Sequence, residues 1–193
     1  PEIISRVDAH LRTTDFYSDL EQKDLLYLLE LSDHIAAIRN PMTILRLIVE
    51  KMSDIVDVAR CSIISVNTEN EATVKASSDF EGEEEIKIDI NKYPEVKKSL
   101  ANKTVTVVND IKNDPLMAPV LEHVADLNYS SIVVVPIIKK ENVIGTFFLR
   151  TAAAKKYGIT TRIYKLCQLV ANISANALEN AVLFESMQSA SEY

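Results

Sequence analysis

The sequence predicts an α+β fold: one antiparallel sheet, long helices near both ends of the chain, and shorter helices and loops between the strands. Three stretches of the 193 residues carry this reading. Ser130 to Arg150 reads as a core hairpin, a buried Ile132–Val135 strand with a break at Pro136, a charged turn, and a second apolar run from Val143 to Leu149 around a lone glycine, Gly145. Arg60–Asn67 and Ala72–Ser78 are rich in β-branched residues and flank the polar turn Thr68–Glu71, as an antiparallel pair would. Phe16–Ile38 and Thr160 to about Ser189 show helical spacing of apolar residues.

Taken in order, Pro1 to Arg12 predicts a short amphipathic helix with Ile3, Ile4, Val7 and Leu11 on one side. The Phe16–Ile38 helix follows, with Phe16, Leu20, Tyr27, Leu31, Ile35 and Ile38 at helical intervals and Leu25, Leu26, Leu28 and Leu29 widening the apolar surface beyond one stripe. Such a helix needs more than one packing partner. Asn40-Pro41 then starts a second helix, Asn40 as cap and Pro41 in the first helical position, where a missing N–H costs nothing. Ile44, Leu45, Ile48, Val49, Met52, Ile55 and Val56 give that helix its core face.

After the strand pair, the acidic run Glu81–Glu85 reads as a solvated loop without metal-ligand spacing. Ile86–Ile90 alternates as an edge strand, Pro94–Ala101 is a short helix, and Thr104–Val108 is another strand. Asp114-Pro115 repeats the cap-plus-proline start for a helix through Leu127. In the exit helix, Leu166, Val170, Ile173, Ala177, Asn180, Phe184 and Met187 step by four and three as a heptad seam, with Asn180 as the polar residue that fixes register.

Composition narrows the function classes. A chain that is 47% hydrophobic and 25% charged suffices for one substantial core with appendages. A formal charge of −7 without a stripe of Lys and Arg argues against a nucleic-acid surface. The sequence has no run long enough to span a membrane and no signal-peptide layout, so the expected location is cytoplasmic. The three histidines, His10, His34 and His123, form no metal-ligand pattern, and Cys61 and Cys167 sit singly in apolar contexts as packing groups.

Two resemblances add to this reading. PEIISRVDAHLR at the start resembles the last helix of response-regulator receiver domains, which would make residues 1–14 a remnant of an upstream receiver. Val108-Asn109-Asp110 with Asp114-Pro115, the strand Ser131–Pro136, the return Asn142-Val143-Ile144-Gly145 and the ending Ala177-Leu178-Glu179-Asn180-Ala181 together resemble the GAF domain in order and spacing. The resemblance implies a GAF-like α/β sandwich over residues 40–184, with helices on one sheet face and pocket-covering helices and loops on the other. Residues 15–39 become a linker helix, and 185–193 the start of a helical linker to an output domain such as a diguanylate cyclase or histidine kinase.

Departures from the family's motifs bear on the ligand. Asn102-Lys103 is present, but Tyr157–Lys165 lacks the Phe-x-x-x-Asp-Glu of cyclic-nucleotide-binding members. Neither cysteine sits where a bilin attachment or a methionine sulfoxide reductase would need it. By analogy the pocket cover is Lys92–Ala101 and Asn109–Leu127, and alternation offers Ser131, Val133, Thr146 and Phe148 as floor, with the opposite parity left open. Asn109, Asp110, His123 and Tyr129 are the polar groups placed to orient a small molecule; no cofactor is specified. The expected function is a non-enzymatic sensory domain, homodimeric along Ala177, Asn180, Phe184 and Met187. The alternatives are a ligand-free dimerisation spacer with a collapsed pocket and, less favoured, a thiol or sulfoxide enzyme.

Overall fold

The computed structural model describes residues 19–56, 60–69, 71–79, 86–124, 128–152 and 158–191. The receiver-like stretch, the start of the first long helix and the acidic loop lie outside them. The described elements are α1 (Gln22–Ala37), α2 (Pro41–Val56), β1 (Arg60–Val66), β2 (Ala72–Ser77), β3 (Ile86–Ile88), a 3-10 turn (Ile90–Lys92), α3 (Pro94–Asn102), β4 (Thr106–Val108), a second 3-10 helix (Pro115–Val120), α4 (Leu121–Val124), β5 (Tyr129–Lys139), β6 (Asn142–Ala152) and α5 (Thr161–Ser191). The strands form one antiparallel sheet in the order β3-β2-β1-β6-β5-β4. This is the GAF-like α+β architecture the sequence predicts.

Local chemistry sets the boundaries. Asn40 Oδ1 accepts from the backbone N–H of Met42 (2.9 Å) and Thr43 (3.2 Å), so α2 starts at Pro41 as expected. α1 starts at Gln22, later than predicted, because Asp24 accepts the Glu21 N–H at 2.9 Å and closes a capping box there. The helix expected from Pro115 onward begins as a 3-10 segment; Pro119 inside it removes a donor that an α-helix would require.

The predicted break at Pro136 does not occur. β5 runs through it to Lys139, and β4 begins only at Thr106, opposite Val134, so Pro136 lies where β5 is a free edge on that side, a position that tolerates proline. The hairpin closes through Lys140 (φ 47°) and Glu141 (φ 69°), two left-handed residues that match the strand twist.

The sheet separates two cores. On the helix face, α1, α2 and α5 cover Cys61, Ile63, Val133, Val135, Ile137, Phe147 and Leu149. Gly145 permits this contact: a Cβ there would lie 2.1 Å from the Ile64 carbonyl oxygen and 2.7 Å from Leu178 Cδ2 of α5. On the cover face, α3 and the second 3-10 helix close over Ile64, Val74, Val108, Ile132, Val134 and Phe148, with Val96, Ile111 and Met117 pointing down from above.

The helix layer is fastened by charge as well as by apolar packing. Arg162 at the start of α5 donates from Nε to Asp24 Oδ2 at 2.7 Å and from a terminal nitrogen to Oδ1 at 2.5 Å, a forked pair across the first turns of α1 and α5. Ser32 and Ile35 of α1 share a groove with Asn172 and Asn176 of α5, so the two helices run in the same direction. Lys75 is the extra residue of a β-bulge in β2, between the pairs Ile63–Ala76 and Ile64–Val74, and it reaches Glu185 of α5 at 2.5 Å.

Candidate functional site

Antiparallel register decides which side chains share the cover face. Val134 pairs with Phe148, Pro136 with Thr146, and Ile64 with Thr146, so Thr146 and Phe148 face the cover. Val133 pairs with Leu149 and belongs to the helix-face core, and Ser131 pairs with Thr151 on that same side. The floor reading of Ser131 and Val133 is therefore corrected: β5 contributes Ile132 and Val134 to the cover face. Ser131 is occupied by a 2.5 Å hydrogen bond with the Thr151 hydroxyl.

The polar groups expected at the pocket mouth do not converge. Asp110 is an exposed loop cap, accepting from the Lys112 N–H at 3.0 Å and from the Asn113 side chain at 2.7 Å. The Asn113 hydrogen bond leads in holding its carboxyl below the ordinary aspartate range. Asn109 is exposed, with its side-chain oxygen against Gly158. His123 is exposed on α4. Tyr129 alone of the four reaches the cover-face core, because the irregular pairing between Tyr129 and Ser131 shifts its side.

A cavity of about 680 Å³ opens elsewhere, between the β2–β3 edge and α3. Ala72, Ile88, Ile90 and Leu100 supply apolar wall, and Lys87 and Lys97 stand at it as cations. Under the 3-10 segment the space is filled instead, Met117 and Ile111 being 1% and 3% exposed.

Residues that sequence reasoning passed over lie deeper on the cover face. Glu95 of α3 and Arg150 at the end of β6 are both buried. Arg150 stacks on the rings of Phe148 and Tyr129, 4.7 and 4.9 Å from their centroids. Burial pushes the Glu95 carboxyl above the ordinary glutamate range, against the opposing pull of its own backbone N–H and of Arg150. Glu95 Oε2, Arg150 Nε, Thr106 Oγ1 and Thr146 Oγ1 are buried without a hydrogen-bond partner. The signal for Arg150 was a lone cation ending an otherwise apolar strand; Glu95 looked like an ordinary acid in a first helical turn.

Both cysteines are buried on the helix face, unpaired by disulfide, and burial raises both thiols above the ordinary range. Neither is poised as a nucleophile. Among the described residues no cluster has metal-ligating composition, and no helix is long and apolar enough to cross a membrane.

The seam residues of α5 also divide. Leu166, Val170 and Ala177 are buried in the domain's own core, which corrects the expectation that Ala177 faces a partner. Asn180 is exposed beside α1, while Phe184 is 48% and Met187 71% exposed.

Solved structures with this fold include the GAF domain of an Acinetobacter phosphoenolpyruvate-protein phosphotransferase, at 12% identity and TM-score 0.67, covering 86% of this chain and 99% of that one. The phycoerythrobilin-bound GAF domain of a cyanobacterial phytochrome aligns at 14% identity and TM-score 0.67, covering 86% and 100%. Residues 122 to 287 of a methyl-accepting chemotaxis protein align at 20% identity and TM-score 0.63, covering 80% and 98%. No curated protein matches the sequence. The family model described as GAF domain matches residues 39–179, and the chain belongs to the GAF domain family.

Proposed function

We propose that this GAF domain is a non-enzymatic sensory module of a two-component-type signalling protein, cytoplasmic and homodimeric, in which a small ligand or an upstream receiver biases the pairing of α1 and α5 and thereby an output domain. The observation that carries the reading is the unspent apolar surface of the helices. Val182, Leu183, Phe184 and Met187 of α5 and Leu25, Leu26 and Leu29 of α1 are all at least 40% exposed. A second copy of the same helices is the occupant that would bury both sets. The solved neighbours from a chemotaxis protein and a phytochrome agree with a signalling context.

A relay needs two helix pairings separated by only a few kcal/mol, since a ligand shifts them by no more than its differential affinity. The Lys75–Glu185 pair offers a mechanical link, because β2 lines the cavity through Ala72 and grips α5 through Lys75. Replacing Phe184 by Glu tests the assembly. Sedimentation at low micromolar concentration should give a dimer for the wild type and a monomer of unchanged circular dichroism for the variant; an unaltered dimer would refute the interface.

The ligand-free spacer is favoured by one observation, the dense packing of Met117, Ile111 and Val96 over the sheet. The unpartnered atoms of Glu95 and Arg150 beneath the same cover weigh against it, because burying an ionisable group without a partner costs stability that a purely structural face can avoid.

A further inference from the structure

Arg150 breaks the usual rule for buried charge. It is 8% exposed, its Nε has no hydrogen-bond partner, and no carboxylate lies within salt-bridge distance of it among the described residues. Its ring contacts are the faces of Tyr129 and Phe148, which stabilise a cation but leave the in-plane Nε–H donor unused. Directly opposite in register on β1 stands Arg60, a second cation on the same face. Arg60 is answered: Asp79 lies 3.3 Å from its Nε, which also donates to Ser62 and Ser77. Glu95 is the acid nearest in effect to Arg150, yet it too keeps a buried unpartnered oxygen, and burial favours its neutral form. Among the described residues the buried Arg150 guanidinium on the cover face therefore has no salt-bridge partner.

We propose that Arg150 anchors a binding site for a small monocarboxylate, whose carboxylate would dock in the plane of the guanidinium between Tyr129 and Phe148. This deepens the sensory reading and rests on it. One unpaired cation matches one negative charge, whereas a doubly charged phosphate would need a second, and Arg60 is already committed to Asp79. A planar fork suits a carboxylate. The neighbouring Phe148, Val134 and Ile132 are apolar, so the body of the ligand is aryl or short-chain aliphatic.

Sodium benzoate is the probe, compared with sodium chloride at equal ionic strength. In the ¹⁵N-labelled domain the Arg150 Nε–Hε resonance should shift saturably, and saturating benzoate should raise Tm by about 2–4 °C. Arg150→Lys keeps the charge but loses the fork, and should weaken binding about tenfold or more. Absence of a saturable Arg150 shift in the wild type overturns the site whether or not Arg150→Lys folds, and so does equal affinity in that variant. Dimer mass measured on the same samples separates the two claims: an intact dimer that ignores benzoate removes the carboxylate site and leaves the helix relay standing.

Discussion

The two faces of the sheet obey different rules. On the helix face, large apolar side chains interlock, the buried Asp24 is met by a forked arginine, and the buried atoms left without a partner, Tyr27 Oη and Gln168 Oε1, belong to neutral side chains. On the cover face a comparable apolar cluster surrounds Glu95, Thr106, Thr146 and Arg150, each with a buried polar atom that has no partner. What sets the cover face apart among the described residues is that its unpartnered atoms include those of a buried carboxyl and a buried guanidinium, groups that cost stability and persist in proteins where they meet something other than the chain itself.

The largest way to break this contrast is to damage the helix face. Phe147→Ala should cost about 3–5 kcal/mol in urea unfolding, since a fully buried ring leaves a cavity that α2 and α5 cannot close. A loss below about 1 kcal/mol would mean that this face is not the structural one.

Breaking the charge clamp comes next. Arg162→Met strands a buried carboxylate and should cost about 3 kcal/mol, the low end for a broken buried pair because Arg162 keeps some solvent contact. The wild type predicts a pH signature as well. Burial by itself would raise Asp24, but the Arg162 hydrogen bond, the Glu21 backbone N–H and the Arg162 charge outweigh it and hold the carboxyl below its ordinary value. A depressed carboxyl stabilises the fold above its unfolded pKa and loses that contribution as pH falls through the folded value. Asp24→Asn should flatten that acid limb, and an unchanged limb would show that the clamp does not contribute.

The smallest effect sharpens the comparison most. Thr146→Val removes an unpartnered hydroxyl at constant shape and should be neutral or stabilising by up to about 1 kcal/mol. Ser131→Ala on the other face breaks a made hydrogen bond with Thr151 and should destabilise by about 1 kcal/mol. Equal costs would erase the distinction between the faces.

Local chemistry was legible in the sequence wherever one residue determines it: the Asn40 cap, the Pro41 start, the charged hairpin turn, the strand pair and the unbroken exit helix. Strand parity was not, because Ile132 to Ile137 is buried on both faces and the period-two signal that would orient it is absent. The bulge at the start of β5 moved Tyr129 to the cover side while Ser131 stayed on the helix side, a shift that no alternation rule anticipates. Asp24 and Arg162 meet across 138 positions of sequence, and only the parallel run of α1 and α5 brings them together. The heptad seam overreached for a related reason: up to Ala181 the helix spends its apolar residues on its own sheet, so only the turns beyond remain for a partner.

Native mass spectrometry of the purified domain at low micromolar concentration tests the central claim most directly, since it reads assembly and any retained ligand together. The account predicts a dimer that becomes a monomer in Phe184→Glu, with small-molecule adducts on the wild type that are lost in Arg150→Lys. A wild-type monomer would contradict the helix-paired sensory module.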